Sequence, residues 1–158
     1  MATNREVVHA WAHQHGDVRS TNVIAEGDTI YSYGKHFPMA RIDVEKRVVW
    51  VTTDTYSNTT AKQLAHTRQA IPLGYTIVNV PDISADECLD SGIEFYTASR
   101  AKLFARRNTA KKMDDAHELA TEIDKFADQF TDNPAVQALR FVPGGMPSAN
   151  EYSEAQRA

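Results

Sequence analysis

The chain has 158 residues, of which 42% are hydrophobic and 24% charged, with a formal net charge of −4. That length suits one domain, or a compact domain with an appendage, and the globular composition implies a buried core. The charge balance excludes a uniformly basic nucleic-acid binder but permits a local basic patch, which is what phosphate contact requires. The single cysteine, Cys88, excludes an internal disulfide and points to a reducing cytoplasm. No apolar run approaches bilayer-spanning length and the N-terminus lacks a signal-peptide h-region, so no membrane association is expected.

Thr3 and Glu6 stand at capping-box spacing, which opens a helix. Val7, Val8, Trp11 and Ala12 then recur at helical spacing and Gly16 is a suitable stop, so an amphipathic helix over residues 4–15 is predicted. Its polar side holds Glu6, His9 and His13, with His15 just beyond. His9 and His13 share a helix face and are metal-ligating types. No cysteine or remote ligand cluster completes a site in the sequence, so no metal is expected.

A meander follows. Asn22–Glu26 reads as a first strand, Gly27 and Asp28 as a turn, and Thr29–Tyr33 as a second strand ended by Gly34. Met39–Val44 reads as a third strand with Pro38 at its edge. Glu45 and Lys46 connect it to Arg47–Thr53, a fourth strand rich in β-branched residues. Alternation assigns Ile30, Ile42, Val44, Val48 and Trp50 to one face and Tyr31, Tyr33, Met39, Arg41 and Asp43 to the other. The face of the fourth strand depends on a register that the sequence leaves open.

Ser57, Asn58 and Thr59 are each able to cap a helix reaching Ala70, with Leu64, Ala65, Arg68 and Ile71 inward and Pro72 as its stop. The amides at that helix start suit an anion, but no glycine-rich loop or phosphate-loop lysine accompanies them, so capping is the expected role. Tyr75–Val80 reads as a fifth strand closed by Pro81. Ser84 and Glu87 repeat the capping-box spacing and open a helical region from Ala85 to Phe130. Unbroken, that region would be roughly 70 Å long, against a radius of gyration of about 15 Å for a domain of this size. A break at Asn108 and Thr109 into a helical hairpin resolves the mismatch. Lys111 and Lys112 argue against the break, because a helix N-terminus disfavours cations. Ala135–Phe141 is expected to be a short packing segment, and the polar stretch from Pro143 a loose tail. The expected organisation is a core at 1–82, a helical extension at 83–142 and a flexible tail at 143–158.

Charge is segregated along the extension. Arg100, Lys102, Arg106, Arg107, Lys111 and Lys112 fall in one stretch without an acid. Between Asp114 and Asp132 there are seven acids against Lys125 alone. A break near Asn108 collects the cations at a hairpin tip, which suits phosphate contact. The structural counterpart is a solvated helix whose charges pair within the chain.

Catalytic chemistry is not evident. Cys88 lies beside Glu87 and Asp90, which should raise its pKa and blunt it as a nucleophile. His36 and His66 are isolated, and Asp43, Glu45 and Asp54 are ordinary surface carboxylates at strand ends. No enzyme activity and no cofactor are expected.

The run YSYGKHFPMA, followed by VVWVTTDTYSNTTAKQLAHTRQAI, resembles an uncharacterised domain family of bacteriophage and mobile-element proteins over residues 20–71. The shared pattern is SYG, a small-and-apolar strand, then YS-x-TT opening a helix. The resemblance implies phage origin, the host bacterial cytoplasm and a coherent fold, with no particular activity. In topology alone, four antiparallel strands and a helix are similar to the ββββα unit of single-strand-binding families of the transcriptional-coactivator, PUR and Whirly type. Those families present aromatic and basic side chains on a curved sheet, which implies Tyr31, Tyr33, Lys35, His36 and Arg41 here.

The fold expected is α+β: an antiparallel β-meander of four to five strands backed by a helix, with an N-terminal helix and a C-terminal helical hairpin or long helix. The expected function is that of a small non-catalytic phage-type accessory protein binding nucleic acid, single-stranded DNA or RNA in preference to duplex. Tyr31, Tyr33, Lys35 and Arg41 would contact it together with Arg100, Lys102, Arg106, Arg107, Lys111 and Lys112. The alternative is a protein-interaction module that engages a host or phage protein, or itself, through the charge-segregated helices. Such a module would leave an apolar stripe of Ile93, Tyr96, Leu103, Leu119, Ile123 and Phe126 uncovered by its own chain. A homodimer fits either reading.

Overall fold

Thr3 caps the first helix as its spacing with Glu6 predicts: the Glu6 amide donates to Thr3 Oγ1 at 3.1 Å. The helix, α1, runs Asn4–Ala12 in a computed structural model that describes residues 2–32, 37–54 and 58–145. It stops short of the expected residue 15, because the left-handed residue that ends it is Gln14 (φ 51°) rather than Gly16. Five strands follow: β1 (Val18–Arg19), β2 (Val23–Glu26), β3 (Thr29–Ser32), β4 (Phe37–Asp43) and β5 (Val48–Thr52). Then come helix α2 (Asn58–Ala70) and strand β6 (Thr76–Val80). Tyr33, Lys35, His36 and the proposed cap Ser57 lie outside the described residues.

The six strands form one sheet in sequence order, antiparallel from β1 to β5 and parallel between β5 and β6. The parallel pair has a plain cause: α2 is a crossover, and a crossover returns the chain to the end at which β5 began. The two-residue β1 is too short to leave an alternation signal, so the sequence did not announce it.

The chain divides into two compact units, Met1–Ser91 and Gly92–Ala158. In the first, α1 and α2 lie on one face of the sheet. Val7, Val8, Trp11 and Leu64 from the helices pack with Val23, Ala25, Ile30, Ala40, Ile42, Val49 and Val51 from the strands. Trp11 is fully buried, and its indole N–H donates to the Asp28 carbonyl at 2.8 Å, pinning α1 to the β2–β3 turn. Ser32 donates to the Gln63 carboxamide and Arg68 to that of Asn79, tying α2 to the strands beneath.

Register decides the other face, and it corrects the alternation in three places. Asp43 pairs with Val48 and Arg41 with Trp50, so Val48 and Trp50 sit beside Arg41 rather than with Ile30 and Ile42. A bulge between Ile30 and Tyr31 shifts the β3–β4 pairing, and Met39 opposite it turns into the core, fully buried. Val44 lies beyond β4 in the turn and is 55% exposed.

The expected break in the long helical region is present. Helix α3 runs Cys88–Phe104 and α4 runs Ala110–Gln129, and Thr109 caps α4 by accepting from the Lys112 amide at 3.1 Å. In the second unit Tyr96 meets Phe126 with ring centroids 5.6 Å apart and donates to Glu122, so the two helices run antiparallel as a hairpin. Gln137 donates to the carbonyls of Ala127 and Phe130 at 2.7 and 3.0 Å, closing the end of α4. A short helix, α5 (Pro134–Gln137), is capped by Asn133 and buries Val136. With Leu139, also buried, it is the packing segment that the sequence suggests. A single 3-10 turn, Pro143–Gly145, is the last described element; the rest of the predicted loose tail lies outside the described residues.

Candidate nucleic-acid interface

Six cations between Arg100 and Lys112 straddle the α3–α4 turn, and the fold gives them different work. Lys112 is 1% exposed. Its ammonium donates to the Arg106 carbonyl at 2.8 Å, to Asn108 Oδ1 at 2.9 Å and to the Phe104 carbonyl at 3.4 Å. A cation at the start of α4 is disfavoured by the dipole of α4, but this one reaches back to the end of α3, where free carbonyls favour it. The lysine that argued against the break is what closes it. Arg100 is half-buried and donates to the carbonyls of Ala138 and Leu139, both at 2.9 Å. Lys112 and Arg100 are therefore structural cations, held inside the second unit.

The remaining four are exposed. Arg106 pairs with Asp115 at 2.8 Å, and Lys111 approaches the same carboxylate at 3.6 Å while its side chain stays 80% exposed. The hydrogen bond from Arg106, with the Lys111 charge beside it, holds the Asp115 carboxyl below the usual carboxylate range. Lys102 and Arg107 make no ion pair or hydrogen bond among the described residues. The turn thus offers Lys102, Arg106, Arg107 and Lys111 to solvent, with Asp115 as the acid that contacts Arg106 and Lys111.

In the first unit, Tyr31 and Arg41 do share the sheet face that alternation assigns them. Tyr31 is half-buried. Arg41 is not free to reach outward: its side chain is 12% exposed. Nε donates to the Ile83 carbonyl at 2.9 Å and Nη2 to Cys88 Sγ at 2.7 Å. Nη1 lies 3.7 Å from the Asp28 carboxylate, and the guanidinium carbon 6.0 Å from the Trp50 ring. Arg41 ties β4 to the segment after β6. Cys88 is 3% exposed, and burial pushes its thiol pKa up while Arg41 pulls the other way. The direction is the expected one, but its cause is burial rather than the acids next to it in sequence.

The chain matches no family model, no curated protein and no solved structure. Its own side chains are the guide to function. Two of them had no place at the site in the sequence: Asp115, one of the seven acids, which the i, i+4 spacing from Lys111 could have flagged, and Trp50, assigned to the opposite face, whose place beside Arg41 only the register could reveal. Among the described residues no helix is long and apolar enough to cross a membrane.

Proposed function

We propose that this is a small phage-type accessory protein that binds nucleic acid, single-stranded DNA or RNA in preference to duplex. One observation carries the reading: four exposed cations, Lys102, Arg106, Arg107 and Lys111, gathered at one helical turn. Two of them share one carboxylate, so the turn keeps a positive balance on a chain whose net charge is −4. Phosphate contact depends on that local excess and not on the overall charge. Tyr31 supplies a half-buried ring on the sheet face, and base stacking on such a ring is worth about 1–3 kcal/mol.

The competing interaction-module reading needs an uncovered apolar stripe. Tyr96, Leu103, Ile123 and Phe126 from that stripe are all buried in the chain itself, which favours the nucleic-acid reading. The test is a fluorescence-anisotropy titration with short single-stranded DNA and RNA at low and physiological salt. Binding that weakens with salt, and falls when Arg106 and Arg107 are both changed to Glu, supports the proposal. Absence of binding at low salt overturns it and turns attention to a protein partner.

A further inference from the structure

Within the first unit, α1 and α2 pack against each other and leave a cleft of about 320 Å³ between them. That volume falls at the lower end of small-molecule sites, which span roughly 300–1,000 Å³. Arg5, Val8 and His9 from α1 and His66, Gln69 and Ala70 from α2 line it. Arg5 and His9 stand at i, i+4 and His66 and Gln69 at i, i+3, so each helix turns a polar pair to one side. The fold sets the two pairs facing one cleft, and His66, isolated in the sequence, acquires neighbours there.

The base of the cleft is apolar: Val8 is 5% exposed and belongs to the core, and Ala70 packs against that core. Arg5, His9, His66 and Gln69 are exposed around it, and their side chains make no hydrogen bond or ion pair among the described residues. Arg41 and Arg68 of the same unit are, by contrast, committed to internal partners. No acid is among the described residues lining the cleft. Glu6, next to Arg5 in sequence, is drawn to the helix cap, where it accepts from Thr3 Oγ1 at 3.2 Å. The cleft therefore gathers one permanent cation and three further side chains able to donate, with nothing on its wall to neutralise them.

We propose that this cleft binds a small phosphate monoester. The planar fork of an arginine by itself satisfies the two oxygens of a carboxylate. Donors from His9, His66 and Gln69 add to that fork, and a phosphoryl head with three acceptor oxygens uses them. The apolar base formed by Val8 and Ala70 faces the organic group of the ester. The proposal goes beyond the nucleic-acid reading and is independent of it, because none of these residues belongs to the cationic turn.

Calorimetric titration of the full chain with phenyl phosphate at physiological salt tests this. The expected result is one saturable site per chain, with inorganic phosphate weaker because it leaves the apolar base uncovered. Arg5→Gln should weaken binding by about tenfold to a hundredfold, as loss of hydrogen bonds from a charged group does. His66→Ala should weaken it by about fivefold. Ala70→Glu, which sets a carboxylate in the cleft, should abolish it. A chain carrying Arg106→Gln and Arg107→Gln should bind as the parent does. Circular dichroism of each variant should match the parent, since Arg5 and His66 are on the surface. No saturable binding, parental affinity in the Arg5→Gln chain, or benzoate bound as tightly as phenyl phosphate overturns the site. Loss of binding in the Arg106→Gln, Arg107→Gln chain also overturns it, and places the phosphate on the turn instead.

Discussion

Lys112 is a charge that the chain keeps for itself. Replacing it with Met leaves the carbonyls at the end of α3 without their donor, and loss of such charge-assisted bonds costs about 2 kcal/mol. Lys111→Met, one position away and 80% exposed, should stay within about 0.5 kcal/mol of the parent. Chemical denaturation of the two variants separates the roles, and equal effects would refute the assignment. Asp115 works in the opposite sense, as the carboxylate that neutralises part of the cationic turn. Asp115→Asn should tighten single-strand binding by freeing Arg106 and Lys111, which an anisotropy titration would detect. Its pH behaviour follows from the lowered folded-state pKa. The stability contributed by the Arg106 pair is present above the ordinary carboxylate value of about 4 and is lost as pH falls through the lower folded value. Asp115→Asn should therefore flatten the acid limb of a stability-versus-pH curve; an unaltered limb would count against the pair.

At the scale of elements, termini and turns carry the specification. Thr3 and Thr109 both cap helices through the amide three residues on, and changing either to Ala should cost about 1 kcal/mol. Trp11→Ala removes a fully buried ring together with its bond to the Asp28 carbonyl. Its expected cost is about 3–5 kcal/mol, measured by denaturant unfolding followed through the first unit's sheet signal. These caps and the apolar face of α1 were legible because they are local: a side chain meets an amide three residues away. The faces of β5 were not. Whether Trp50 lies with Ile42 or with Arg41 turns on a pairing register between strands, and a shift of one residue exchanges the faces.

On the scale of the whole molecule, an acidic chain exposes a cationic turn between α3 and α4 among its described residues. Four phosphate contacts on a single strand give a slope of log affinity against log salt of about −3. Arg106→Glu together with Arg107→Glu removes two of those contacts and should flatten the slope by about 1.4. A parental slope near twice that value would mean that two turns engage one strand, as in a homodimer. A slope near zero would remove phosphate contact from the account altogether.

Sequence by itself determined the α+β class, the meander, the helix after it, and the crowding of cations around Asn108 and Thr109, where it placed the break of a hairpin beside the alternative of one long helix. Each of these follows from periodicity, capping spacing or composition within a short stretch of chain. Tertiary structure alone decided which of those cations face solvent. Arg100 and Lys112 turn inward because carbonyls from other elements stand within reach. Arg41 is engaged by Ile83 and Cys88, which follow it by more than forty positions. Long-range partners leave no trace in the spacing of the residues they bind, so a cation read from sequence is a charge without a direction until the fold supplies its neighbours.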